Sequence, residues 1–214
     1  MYNGILFGIT AAVSLVATII LGYLFAKSTK ISRLLWSIAF FVLGMSTALI
    51  STQGLGVLSQ PVIAPVDSLI PGLIAAGLIM SRKASWGFYF LAYVIIAFGL
   101  ILALAVEYGA LAAPYVMLVH FPSGLVIFLL PTYLVLTKKV AITGLLVGIG
   151  GLLIGIGGLA LATLSTNFQL LPENLVLNIV APIFLSMTVL IALGLIATPS
   201  WGFARSKWLP RSDH

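Results

Sequence analysis

Every lysine and arginine of this 214-residue chain falls in one of four short clusters: Lys27, Lys30 and Arg33; Arg82 and Lys83; Lys138 and Lys139; Arg205, Lys207 and Arg211. The intervals between them are long and apolar, and hold the acidic residues Asp67, Glu107 and Glu173 and one histidine, His120. A basic side chain at the centre of a membrane span costs roughly 3 kcal/mol, and Lys and Arg are retained on the cytoplasmic side of inserted chains. Each interval between neighbouring clusters must therefore contain an even number of crossings.

Composition leaves little alternative to a membrane class. Hydrophobic residues make up 62% of the chain, charged residues 7%, and the mean hydropathy is +1.26. Soluble domains carry about 25% charged residues, so this chain could not clothe a solvated surface. The net charge of +6 would suggest nucleic acid in a soluble protein. Here basic residues beside an anionic leaflet explain it, and no nucleic-acid partner is expected. Without cysteine there are no disulfides, thiolate ligands or redox switches. The start, Met1-Tyr2-Asn3-Gly4, carries no basic residue before its apolar run, the reverse of a cleaved signal, so the first segment reads as a retained helix.

A span needs about 20 apolar residues. The sequence predicts seven: 5–26, 34–52, a third ending at Met80 and starting between Val57 and Asp67, then 87–106, 111–136, 140–163 and 175–198. The expected fold is an all-α integral membrane protein, a seven-transmembrane-helix bundle forming one domain over 1–214. Alternation puts every basic cluster on one side and Asp67, Glu107 and Glu173 on the other, so the N-terminus is expected outside and the C-terminus cytoplasmic, in the plasma membrane. Trp36, Trp86, Trp201 and Trp208 lie beside basic clusters and read as interfacial anchors, with Tyr2, Tyr108 and Tyr115 at the opposite interface. Gly54, Gly56, Pro61, Pro65 and Pro71 interrupt the third segment. An outer loop followed by a proline-kinked helix is favoured there over a re-entrant element.

The chain also resembles itself. Ala64-Pro65-Val66, Ala75-Ala76-Gly77-Leu78-Ile79 and Ser85-Trp86-Gly87-Phe88 recur in order as Ala181-Pro182-Ile183, Ala192-Leu193-Gly194-Leu195-Ile196 and Ser200-Trp201-Gly202-Phe203. Upstream, Tyr23-Leu24 matches Tyr133-Leu134, and Ser51-Thr52 matches Ser165-Thr166. This predicts a 3+1+3 parallel repeat: 5–88, a linker helix in 89–110, 111–203, and a basic interfacial tail in 204–214. In helix count, orientation and repeat the plan resembles the SWEET sugar facilitators and the microbial rhodopsins. The proline-glutamine dipeptides of the first group's relatives are absent, since Gln60-Pro61 has the reverse order. The mid-helix Schiff-base lysine of the second is also missing, because every lysine sits at a helix end.

Few residues are candidates for chemistry. Glu107 and His120 face each other across the hairpin of helices four and five and form a candidate pH-responsive pair, weighed against a solvated glutamate and a backbone-bonded histidine. Asp67 and Glu173 read as helix-opening carboxylates. Gly144, Gly148, Gly151, Gly155 and Gly158 form a small-residue packing seam along helix six, with Gly150 and Gly157 beside it. The run Gly155-Ile156-Gly157-Gly158 only nominally matches a dinucleotide fingerprint, as no strand precedes it. No catalytic constellation, metal set or cofactor site is expected, and an enzyme is the least favoured class. The preferred reading is a non-catalytic accessory subunit of a larger membrane complex; the partners considered are the lipid bilayer and either membrane-protein subunits or further copies in a homo-oligomer. The alternative is a facilitator for a small neutral solute, with Ser46, Thr47, Asn178, Ser186 and Thr188 as contacts. A non-retinal sensor is third.

Because the chain has no cysteine, single-cysteine variants test the orientation directly. Glu107→Cys should react with an impermeant maleimide on intact cells, and Lys139→Cys only after permeabilisation. Labelling of both from outside would overturn the single crossing between residues 107 and 139, and the orientation with it.

Overall fold

The computed structural model describes residues 2–109, 115–164, 172–198 and 201. Among these residues seven α-helices follow one another: α1 (Tyr2–Ser28), α2 (Ile31–Gln53), α3 (Ile63–Met80), α4 (Ala84–Tyr108), α5 (Met117–Leu136), α6 (Gly144–Leu164) and α7 (Glu173–Ala197). No strand occurs among the described residues. Six of these helices are long and apolar enough to cross a bilayer, and α6 is apolar over Gly144–Gly158. The protein is a polytopic helical membrane protein. Between α2 and α3 lies a short 3-10 turn, Leu55–Ser59, entered through Gly54 at φ 80°. Its Val57 is buried with Phe7, Ile50, Val180 and Ala181, so the proline- and glycine-rich stretch caps one end of the bundle.

The helices form a closed ring. α1 packs on α2, α2 on α3, α3 on α5, α5 on α6, α6 on α7, and α7 returns to α1. α4 stands outside, laid against α3 and scarcely touching α5. The ring is filled rather than hollow at its basic end: Leu21, Phe40, Leu78, Leu134, Val147 and Ile191 belong to one buried cluster drawn from all six ring helices. Lipid supplies no hydrophobic drive for one apolar helix to prefer another, so closeness of backbones decides the neighbours. Gly72 marks such a point. A Cβ there would stand 2.6 Å from Val94 Cγ1 of α4 and 3.1 Å from Val119 Cγ1 of α5. Gly77 is a second, where the Trp36 indole of α2 occupies the space a side chain would need.

That indole alters one sequence expectation. Trp36 and Trp201 are not interfacial anchors: they are 1% and 3% exposed, and their rings meet edge to face with centroids 6.3 Å apart. Trp36 Nε1 donates to the Ile74 carbonyl at 3.2 Å, and Trp201 Nε1 to the Gly194 carbonyl at 3.1 Å. Trp86 is exposed, with the Lys83 ammonium 5.1 Å from its ring centroid. Lys27 over Tyr23 and Lys139 over Tyr133 repeat this pairing at the same end. Trp208, and the tail 204–214 with it, lie outside the described residues.

One proline frees a carbonyl that a neighbouring helix then satisfies. Pro122 has no N–H to offer the Leu118 carbonyl one turn back, and the Tyr93 hydroxyl of α4 donates to it instead. The glycine seam of α6 faces α5 along part of its length: Cβ atoms on Gly148 and Gly151 would stand 2.6 Å from Thr132 Oγ1 and 2.7 Å from Ile127 Cγ2. Gly144 meets Val135 and Val140, Gly155 faces open space, and Gly158 looks toward His120. Gly150 and Gly157 turn to α7, against Ile191 and Ile183.

Gly77→Ala should lower the thermal midpoint in detergent, by a loss of about 1–3 kcal/mol from overpacking against Trp36. Gly99→Ala, where a Cβ meets nothing within 4 Å, should leave it unchanged or raise it slightly, since Ala is the better helix former. Equal losses would show that the close approach to Trp36 does not set the effect.

Candidate functional site

Buried polar residues come from α1, α2, α3, α5 and α7. Ser46 and Thr47 of α2 are buried, as are Thr10 and Ser14 of α1, Ser68 of α3 and Ser123 of α5. Most of these hydroxyls bond within their own helix. Thr10 Oγ1 donates to the Leu6 carbonyl at 2.8 Å, Ser14 Oγ to Thr10 at 2.8 Å, Thr47 Oγ1 to Leu43 at 2.7 Å and Ser68 Oγ to Pro65 at 2.6 Å. Such back-bonding hides a hydroxyl in an apolar surround without committing it to a ligand.

Ser46 departs from this pattern. Its hydroxyl donates across the helix boundary to Asp67 Oδ1 of α3. Asp67 therefore does not open its helix. α3 begins at Ile63 behind Val62, which makes no side-chain cap, and Asp67 lies in the second turn, partly buried between α2 and α3. Among the described residues its side-chain partner is Ser46. A carboxylate held by one hydroxyl retains acceptor capacity, since an ionised carboxylate offers about four lone-pair sites.

A cleft of about 750 Å³ opens at the acidic end. Its wall includes Asn3 and Phe7 of α1, Ile50 and Ser51 of α2, and Leu177 of α7. Ile50 is one helical turn outward of Ser46. Two bonds brace the cleft: Asn3 Nδ2 donates to the Leu177 carbonyl at 2.9 Å, and Ser51 Oγ to the Gly4 carbonyl at 2.8 Å. At the other end the Trp36–Trp201 contact and the buried cluster close the ring.

His120 lies in the first turn of α5, with Cδ2 facing Gly158 of α6. Its Nδ1 is sealed from solvent beside the Val116 carbonyl, without a hydrogen bond of good geometry, and the Ser123 hydroxyl one turn on is likewise buried and unpartnered. Glu107 is exposed at the end of α4, beside the Tyr108 hydroxyl. The two are thus set in different surroundings, His120 against α6 and Glu107 exposed at the end of α4. Glu173 opens α7.

The five proposed solute contacts do not converge either. Ser46 and Thr47 are interior, and Thr188 is buried with its hydroxyl on the Phe184 carbonyl at 2.6 Å. Asn178 and Ser186 lie on exposed sides of α7. The residue that sequence reasoning passed over is Asp67. The signal available was a hydroxyl and a carboxylate in the outer parts of two consecutive helices, within reach of each other once the helix start is known. No cluster of metal-ligating side chains occurs among the described residues.

Ser46→Ala should destabilise the bundle by about 1–3 kcal/mol, because it strips Asp67 of its partner. Adding Asp67→Asn to Ser46→Ala should recover part of that loss, and a double-mutant cycle in detergent measures the coupling. Strictly additive effects would dissolve the pair as a structural unit. No family model matches this chain, and no curated protein or solved structure is similar enough to be set beside it.

Proposed function

We propose that this protein is a plasma-membrane facilitator for a small neutral solute, built from two parallel three-helix repeats with its basic end in the cytoplasm. The observation that carries the reading is the paired construction of the ring. Taking Tyr23 with Tyr133 as the register, Gly22 and Thr18 of α1 correspond to Thr132 and Phe128 of α5. In α1 and α2, a Cβ on Gly22 would stand 3.3 Å from Ser37 Oγ, which donates to the Thr18 carbonyl at 2.9 Å. In α5 and α6, the same crossing has its small residue on the other helix: a Cβ on Gly148 would stand 2.6 Å from Thr132 Oγ1 and 3.3 Å from the Phe128 carbonyl. One residue earlier, Trp36 fills the notch at Gly77, as Val147 fills the notch at Gly194. Ring order agrees, since α3 against α5 mirrors α7 against α1. Parallel repeats about an axis along the membrane normal are an architecture of transporters, with substrate held between the units.

The path this implies enters by the cleft at the acidic end, passes Asp67 and Ser46, and meets a closed gate at Trp36 and Trp201. Asp67 would accept hydrogen bonds from hydroxyl or amide groups, the chemistry of a polyol, sugar or small amide. The accessory-subunit reading keeps one observation in its favour. α4 stands outside the ring with Tyr89, Ile95, Ile96, Leu100 and Val106 exposed, a face that a second subunit could cover as readily as lipid.

Reconstituted liposomes decide between them. Osmotic swelling driven by a panel of polyols and amides should exceed that of protein-free vesicles, and Asp67→Leu should slow it about tenfold, the loss expected from one hydrogen bond. Swelling at the protein-free rate for every solute, together with a stoichiometric partner retained in mild detergent, would remove the facilitator and leave the subunit.

A further inference from the structure

The basic end carries a feature that solute passage does not use. A recess of about 340 Å³ lies between the α1–α2 turn and the α3–α4 turn, walled by Lys30, Ser32, Met80, Ala84, Phe88 and Trp201. Two helices start at its edge. α2 begins after Lys30 and α4 after Lys83, and neither has a side-chain cap on its leading amides. Those amides and the helix dipoles leave positive potential at both starts.

Side chains in the wall add independent observations. Ser32 is 4% exposed, yet its hydroxyl bonds to no described residue although it lines the recess. Nearby cations are mostly engaged elsewhere: Arg33 Nη1 donates to the Leu24 carbonyl at 3.0 Å and Ser28 Oγ at 2.8 Å, and Arg82 Nη2 to the Lys139 carbonyl at 3.3 Å. Lys27, Lys83 and Lys139 lie over aromatic rings. Lys30 is the cation in the recess wall. No acidic residue lies among the described residues of this end. The rim is apolar and open to the side, with Ile31 43% and Phe88 49% exposed toward lipid.

We propose that this recess binds a phosphate group attached to an apolar tail, the headgroup of an anionic membrane lipid. The phosphate meets Lys30, the Ser32 hydroxyl and the leading amides of α2, and the tail leaves over Ile31 and Phe88. The same polar chemistry would also take a soluble phosphoester, which the test separates.

The full chain in mild detergent is titrated with short-chain phosphatidylglycerol or the matching phosphatidylcholine, and bound lipid is counted by native mass spectrometry. Phosphatidylglycerol should be retained in preference. Lys30→Gln should weaken it about fivefold, the effect of one cation near an anionic headgroup, and Ser32→Ala should weaken it as well. Lys139→Gln removes the same charge outside the recess and should leave affinity unchanged. If glycerol 3-phosphate displaces the lipid, the phosphate assignment stands and the ligand is soluble. If it does not, the ligand is the lipid. Equal retention of the two lipids, or equal weakening by Lys30→Gln and Lys139→Gln, would overturn the site. Ser32→Ala reads the same contact should Lys30→Gln lower the lipid-free thermal midpoint.

Discussion

Trp36 stands where three separate parts of the chain meet. Its ring fills the notch over Gly77, its Nε1 holds the Ile74 carbonyl, and its edge abuts Trp201 beyond the end of α7. A buried indole brings a large apolar area together with one donor that must be satisfied. In this position both requirements are met by the same helix, α3. The contact therefore fixes the height of α2 against α3 as well as their separation. The remaining helices are arranged around that pair, and the closure of the basic end follows from it.

The rest of the bundle obeys a second constraint. Hydrocarbon provides no partner for a free carbonyl or hydroxyl, so polar groups must be answered from within the chain. The threonines and serines of α1 answer their own helix. The Leu118 carbonyl, orphaned by Pro122, draws in Tyr93 and adds a polar tie to the apolar contact of Val94, Ala97 and Ile101 of α4 with Val119 of α5. Asp67 and Ser46 answer each other across α2 and α3. Against that background the buried hydroxyls left without partners among the described residues, Ser123 in the interior and Ser32 at the basic end, are informative.

The helices themselves were legible because Lys and Arg mark their ends, and the boundaries of α2, α4 and α7 fall within a few residues of the apolar runs. Ring order was not legible. A helix surrounded by lipid and by other apolar helices has no polar face to announce its orientation, and placing α4 outside depends on Gly72 admitting Val94. Trp36 and Trp201 misled for a related reason: proximity to a basic cluster marks depth in the membrane, and a tryptophan at interfacial depth can face inward as well as outward. Asp67 was misjudged through the helix start. The irregular stretch after Gly54 hid the fact that α3 is already under way at Ile63, which turns a first-turn carboxylate into a second-turn one aimed at α2. Asn178 and Ser186 were selected for polarity alone, and polarity does not say which side of α7 they occupy.

α3 has 18 residues and a rise of about 27 Å, shorter than the roughly 30 Å hydrocarbon layer, whereas α1 has 27 residues. The shortest helix is also the most enclosed, wrapped by α2, α4 and α5. α7 has 25 residues and, among the described residues, no outer companion corresponding to α4. One half of the molecule is thus roofed and the other bare. A change in bilayer thickness presses on α7 directly but reaches α3 only through its neighbours, so the two halves of this ring feel the same membrane unequally.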